Sequence, residues 1–205
     1  MSEGTKSVKR LRDLNAEATR KALVEAAAKR FARDGHAGAS LDDVAADAGT
    51  TKGAVYHHFK DKKALFLAAY ELLSQDLIAA LSADPRMQET TVAGPIGAFL
   101  ALATQDRYRR VLFVEGPAVL GSKVCREIDM RYAFGLLARM VGRYGVAELL
   151  PQVSIGVLSN LLIALLIEGA QLISASEDPA QTAQQVELLL TQAIESMSRP
   201  LMGSP

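Results

Sequence analysis

Apolar residues recur along the first third of the chain with the spacing of one helix face. Leu23, Ala27 and Phe31 share a side of a helix expected over 16–34 that stops at Gly35. The next block, SLDDVAADAGTTKGAVYHHF from Ser40 to Phe59, divides in two. Leu41, Val44, Ala45 and Ala48 stand at i, i+3, i+4 and i+7 with Asp42, Asp43 and Asp47 opposite, which predicts a short amphipathic helix from Leu41. Ser40, with Asp43 three residues on, is a variant of the capping box. Gly49 tolerates the left-handed conformation that ends a helix, and Thr50 or Thr51 can then cap a second helix through Lys52, Val55, Tyr56 and Phe59.

Helical periodicity continues to the end. One long helix is expected over 62–83, broken before Pro85, and others over 96–104, 107–114 and 123–144. An apolar helix over 153–174 and an amphipathic one over 179–198, with Pro179 at its first position, complete the set. No strand run or internal repeat stands out, so the fold class is all-α. The pattern gives an N-terminal three-helix domain, 1–66, and a helical domain, 67–205, with frayed tails at 1–14 and 199–205.

The chain has 205 residues, 49% hydrophobic and 5% aromatic, enough for a sizeable core. Its formal charge is zero, but residues 1–66 hold 13 Lys or Arg against 9 Asp or Glu, and the remainder is acidic to the same extent. A basic end on a mildly acidic body suits a polyanion-binding domain joined to one that does not touch the polyanion. The lone Cys125 rules out an intrachain disulfide, and the polar start lacks a signal peptide's apolar core, so a cytoplasmic location is expected. The stretch VSIGVLSNLLIALLIEGAQLIS is long enough to span a bilayer, but Asn160, Glu168 and Gln171 interrupt it and positive flanks are missing. It reads instead as a helix with one face on its own core and another on a partner subunit, and no membrane partner is expected.

A short second helix on a compact support fits the DNA major groove, about 12 Å wide. Gly53 and Ala54 keep its surface low, while Thr51, Lys52, Tyr56, His57 and His58 offer hydrogen-bonding tips. A glycine-turned helical hairpin can equally be plain core packing, so the neighbouring sequence decides. The segments TRKALVEAAAKRFARDG and SLDDVAADAGTTKGAVYHHFKDKKALF, in that order and spacing, resemble the DNA-binding domain of the tetracycline-repressor (TetR) family of bacterial transcriptional regulators.

The resemblance covers about the first third of the chain. It implies an all-helical homodimer on a palindromic double-stranded DNA operator, with an effector-binding domain behind. It makes Thr50, Thr51, Lys52 and Gly53 the groove-facing start of the recognition helix, with Tyr56 and His57 or His58 against the backbone. Arg20 and Lys62 take phosphate from either side. Ser40 carries the start of the preceding helix, because Ala39 stands where the family usually has threonine. A metal on His57 and His58 is disfavoured, since adjacent helical residues point about 100° apart.

In the last two helices, Leu158, Leu161, Leu162, Leu165 and Leu166, and Val186, Leu189, Leu190 and Ile194, form broad apolar surfaces. Packed against their copies they would build a four-helix interface, with Gly156 and Gly169 allowing close approach. An unknown small-molecule effector is expected among the middle helices. Phe113, Met130, Phe134, Leu136 and Leu137 would be its walls, and Glu115, Cys125, Arg131, Tyr132 and Asn160 its polar groups. Glu115 has an alternative role as the ion-pair partner of Arg109 or Arg110, and Gly116 and Pro117 are expected to end the helix before them. Cys125 reads as an inert buried thiol rather than a redox sensor. An enzyme is disfavoured, because no nucleophile elbow, phosphate loop or spaced metal cluster occurs, and no cofactor is expected. The reading is of a regulator, a repressor released by its effector, with an effector-independent or activating regulator as the alternative.

Overall fold

The computed structural model describes residues 3–145 and 152–198, so the expected tail at 199–205 lies outside the described residues. These are helical throughout, without a strand, and separate into two compact units between Leu73 and Ser74.

The first unit holds α1 (Glu3–Gly38), α2 (Leu41–Asp47), α3 (Lys52–His58) and the start of α4 (Lys62–Ala83). The frayed start expected over 1–14 is corrected from Glu3 onward, where α1 already runs. Residues 5–14, TKSVKRLRDL, are mostly good helix formers without proline, and they extend a helix nucleated downstream. Gly35, at φ 75°, breaks α1. The short turn after it is anchored, because the His36 ring stacks on Phe31 and meets Phe66 edge-on, with centroids 5.9 and 5.2 Å away. Leu23, Ala27, Phe31, Val44, Val55, Phe59, Leu65 and Phe66 fill the core beneath α2 and α3.

The second unit contains the rest of α4, a 3-10 turn at Pro85–Gln88, α5 (Ala93–Ala103), α6 (Asp106–Tyr108), a π-helical segment Arg109–Glu115, and α7 (Gly116–Leu120). It continues through α8 (Ser122–Arg143), α9 (Ile155–Ala175) and α10 (Pro179–Ser198). The regular helix expected over 107–114 is therefore wound wider, and Gly116 and Pro117 do not end it. Pro117 has no N–H to give the carbonyl four residues back and its ring crowds that carbonyl, which disfavours an unbroken α register. It sits instead in the first turn of α7, where a missing N–H costs nothing. The wider turn lets the consecutive Val111, Leu112 and Phe113 all be buried.

By length and composition alone, α4 and α9 would each be long and apolar enough to cross a membrane. Much of α4 is buried within the fold, and α9 divides its apolar residues between a buried and an exposed side. Gly169 belongs to the buried side: a Cβ there would lie 2.7 Å from Val186 Cγ1, so its absence lets α9 and α10 of one chain pack closely. Gly156 meets only its own Ser154 and serves no such approach.

Candidate DNA-binding site

Short-range hydrogen bonds build the α2–α3 corner. Ser40 Oγ accepts from the Asp42 amide at 3.2 Å, and Asp43 turns to Arg30 instead of closing a reciprocal box. At the other end Gly49, φ 65°, closes α2 through Gly49 N–H to Ala46 O and Thr50 N–H to Ala45 O, at 3.0 and 2.9 Å. This is the Schellman pairing, which needs the left-handed residue glycine supplies. Thr51 then caps α3, its Oγ1 accepting from the Ala54 amide at 3.3 Å. Arg30 forks onto Asp47 and reaches Asp43 at 3.4 Å, tying α2 to α1. That hydrogen bond from Arg30 holds the Asp47 carboxyl below its ordinary range.

The corner leaves most of α3 exposed. Val55 is buried, while Thr51, Lys52, Gly53, Tyr56 and His57 face outward, Tyr56 with 53% of its surface accessible. A Cβ on Gly53 would meet only Thr51 Oγ1, at 3.7 Å, so the fold does not require this glycine. Lys52 Nζ donates to Asp42 Oδ2 at 2.8 Å, which raises the lysine's pKa. Arg20 is also exposed, its guanidinium 5.2 Å from the centre of the Phe59 ring.

Three candidates sit deeper. Thr50 is half-buried at the turn. Lys62, also half-buried, donates to Ala37 O at 3.2 Å and so caps the end of α1. His58 lies half-buried, and burial, followed by the charges of His57 and Arg20, pushes its pKa down. Its ring meets His57 edge-on at 5.2 Å, and no group of three or more His, Cys, Asp or Glu among the described residues is placed to hold a metal. The roles of Asp42 and Arg30 were not visible in the sequence, where Asp42 reads as a water-facing charge of its helix.

An exposed, cap-defined helix presenting Lys, Thr, Tyr and His beside a supporting helix is the geometry of a helix-turn-helix reader. Residues 23–69 match the family model described as bacterial regulatory proteins, tetR family, and residues 74–197 match the tetracyclin repressor-like C-terminal domain. The chain belongs to the TetR family. It is similar to the HTH-type transcriptional regulator SrpR of Pseudomonas putida, 30% identical over 185 residues, covering 85% of this chain and 83% of that one. A TetR-family regulator of known structure from Pectobacterium atrosepticum is 28% identical, covers 90% of this chain and 96% of its own, and superposes with a TM-score of 0.73. The multidrug binding protein EbrR, solved with ethidium, shares the fold at 20% identity and a TM-score of 0.63, over 85% of this chain and 97% of its own. As a TetR-family member the chain is a DNA-binding transcriptional regulator, not an enzyme, and works inside the cell, where the DNA is.

The second unit of this TetR-family chain holds two apolar cavities. The first, about 60 Å³ and partly open, runs between α4, α8 and α9, with Ser74, Phe113, Asp129 and Tyr132 in its wall. The second, about 90 Å³, adds Met87, Ile96 and Met140, and the two share Leu81, Phe99, Leu136, Leu137 and Leu166. Of the expected ligand contacts, Phe113 and Tyr132 line the first cavity, as do Leu136 and Leu137.

The remaining expected contacts line neither cavity. The α8 face turned to them carries residues 129, 132–133 and 136–137, which points Met130, Arg131 and Phe134 away. Arg131 and Phe134 are exposed, and Met130 is half-buried elsewhere. Cys125 is a buried thiol one turn earlier. Glu115 pairs with Arg110 at 3.6 Å, and the exposed Asn160 donates to Gly156 O at 2.9 Å. The α4 and α5 walls were missed because Ser74, Leu77 and Phe99 carry no pattern that distinguishes them from core.

The apolar set on α9 and α10 divides likewise. Leu158, Leu190 and Ile194 are buried within the chain, Val186 packs on Gly169, and Leu162 and Leu166 line cavities, as does Ile194. Within one chain these side chains are therefore turned at least partly toward the protomer's own interior. Leu161, Leu165 and Leu189 remain outside at 59, 45 and 68% exposure, joined by Val157, Leu172 and Leu188.

Proposed function

We propose that this chain is a homodimeric repressor acting in the cytoplasm, in which residues 1–66 read a palindromic operator and residues 67–205 hold an effector and the subunit contact. The supporting observation is the α2–α3 corner, capped by Ser40, Gly49 and Thr51, which displays Lys52, Tyr56 and His57 away from the core. Lys52 and Thr51 reach base edges or phosphates, with Gly53 allowing close approach and Thr50 at the turn behind them. Tyr56, His57 and Arg20 contact the backbone and set register. Lys62 and His58 support the helix from behind, and Ser40 positions its partner.

Two half-sites require two readers, and the exposed leucines of α9 and α10 provide an apolar face for a second copy. The likeness of the second unit to tetracyclin repressor-like domains favours repression. The apolar cavities, together with the ethidium-bound EbrR, favour release by a small molecule. Fragments of the source genome selected on the protein should share one palindrome, and a gel shift on that palindrome should saturate at one dimer per site. Selection of random fragments at physiological salt would refute the reading.

A further inference from the structure

We propose, building on effector release, that the ligand is an uncharged amphiphile whose hydrogen-bonding head sits at Ser74 and whose apolar body runs past Phe99 into the second cavity. Ser74 is 4% exposed, lines the first cavity, and its Oγ has no hydrogen-bond partner. A buried hydroxyl left this way is rare, because its desolvation goes uncompensated. The Tyr132 hydroxyl, in the same wall, accepts from Gln75 Nε2 at 2.8 Å and keeps its own proton to donate. Ser74 and Tyr132 therefore place two hydroxyl-bearing side chains in the wall of the first cavity.

The polarity is graded. Along α8 the cavity-facing residues run from Asp129 and Tyr132 through Leu136 and Leu137 to Met140 and Val141, a rise of ~16 Å from Asp129 to Met140. Among the described residues the second cavity's one polar side chain is Tyr144, whose hydroxyl is already donating to Glu89 O at 2.9 Å. A molecule polar throughout would leave its far end unpaired, whereas one polar head with an apolar body matches both ends.

Charge narrows the class. Among the described residues no lysine, arginine or histidine lines either cavity, and the one acidic side chain in the walls is Asp129, at the head end. A carboxylate head would be desolvated with no cation to meet it, and an ammonium head would have to draw Asp129 from the partner it already has. An alcohol, ketone, ester or amide can give or accept a hydrogen bond at Ser74 without that cost.

The test uses three probes of equal chain length, n-decanol, decanoate and n-decylamine, titrated into the full-length protein by calorimetry at neutral pH. Decanol should bind, and decanoate should bind roughly tenfold more weakly or worse. Ser74→Ala should weaken decanol by roughly three- to tenfold while leaving the melting temperature equal or higher, since the variant removes an unpartnered buried hydroxyl. Decanoate or decylamine matching or exceeding decanol, or Ser74→Ala binding decanol as wild type does, would overturn the assignment. If none of the probes binds, both the assignment and the ligand site fall. If decanol binds as described but leaves operator affinity unchanged, the ligand class stands and effector release is what fails.

Discussion

Lys52 Nζ lies 2.8 Å from Asp42 Oδ2, so the first residue of the recognition helix is tethered to the helix before it. Both side chains are more than half exposed, and such a pair adds little to stability. Its consequence is for binding. DNA competes with Asp42 for the ammonium, and the carboxylate stays close to where phosphate arrives. Lys52→Ala should weaken operator binding and lower the salt slope by about 1 if the contact is phosphate. Asp42→Asn should act in the opposite direction, tightening binding roughly two- to fivefold. Fluorescence anisotropy across a salt series reads both, and unchanged affinity in Lys52→Ala would remove the lysine from the interface.

Gly53 separates folding from reading. Space around it is open, so Gly53→Ala should raise stability by about 0.5–1 kcal/mol through helix propensity. The added methyl projects where the groove approaches, so operator affinity should fall. A urea denaturation curve and a gel shift on the same preparation are sufficient, and a variant that is more stable and binds normally would show that α3 does not approach DNA at this turn.

Two leucines on one helix should give opposite phenotypes. Leu165, at 45% exposure, can become arginine without disturbing the protomer, and Leu165→Arg should yield a folded monomer by light scattering with preserved circular dichroism. Leu158, at 5%, cannot, and Leu158→Arg should fail to fold because it buries an unpaired charge. A dimeric Leu165→Arg would move the subunit contact away from this face.

Acid should loosen the α1–α2 tie. Arg30 lowers the Asp47 pKa in the folded state, so this carboxylate's contribution is complete above the unfolded pKa and is lost as pH falls through the folded one. The pair's contribution should therefore be level from about pH 8 to about pH 5 and decline below the ordinary carboxylate range. Asp47→Asn should be less stable at neutral pH and lose less on acidification. Parallel acid limbs in the two proteins would show that the pair contributes nothing.

The DNA-reading corner was legible in the sequence because its determinants are local. Ser40, Gly49 and Thr51 act on amides within a few residues, and Val44 and Val55 are spaced by the helix period alone. Cavity walls are set otherwise. Phe134 and Tyr132 are two residues apart on α8 and equally plausible as lining, yet a turn of about 200° between them decides which one faces inward. Leu158 and Leu161 show the same limit, since both are apolar on an apolar helix, and only the placement of α8 and α10 determines which is covered. Nothing near Lys62 in sequence reveals that its ammonium also donates to the Ala37 carbonyl.

The π-helical segment at Arg109–Glu115 holds an extra residue in its turn, and Leu112 and Phe113 stand in the first cavity's wall because of it. Loss of one codon there would let the segment relax into an ordinary helix with no loop to reclose, rotating the side chains on one side by about 100°. The chamber could thereby exchange one set of wall residues for another in a single heritable step while the corner that meets DNA kept every atom in place. Chain length at this turn, as much as residue identity, is then a variable through which descendants of this protein can acquire new chemical signals.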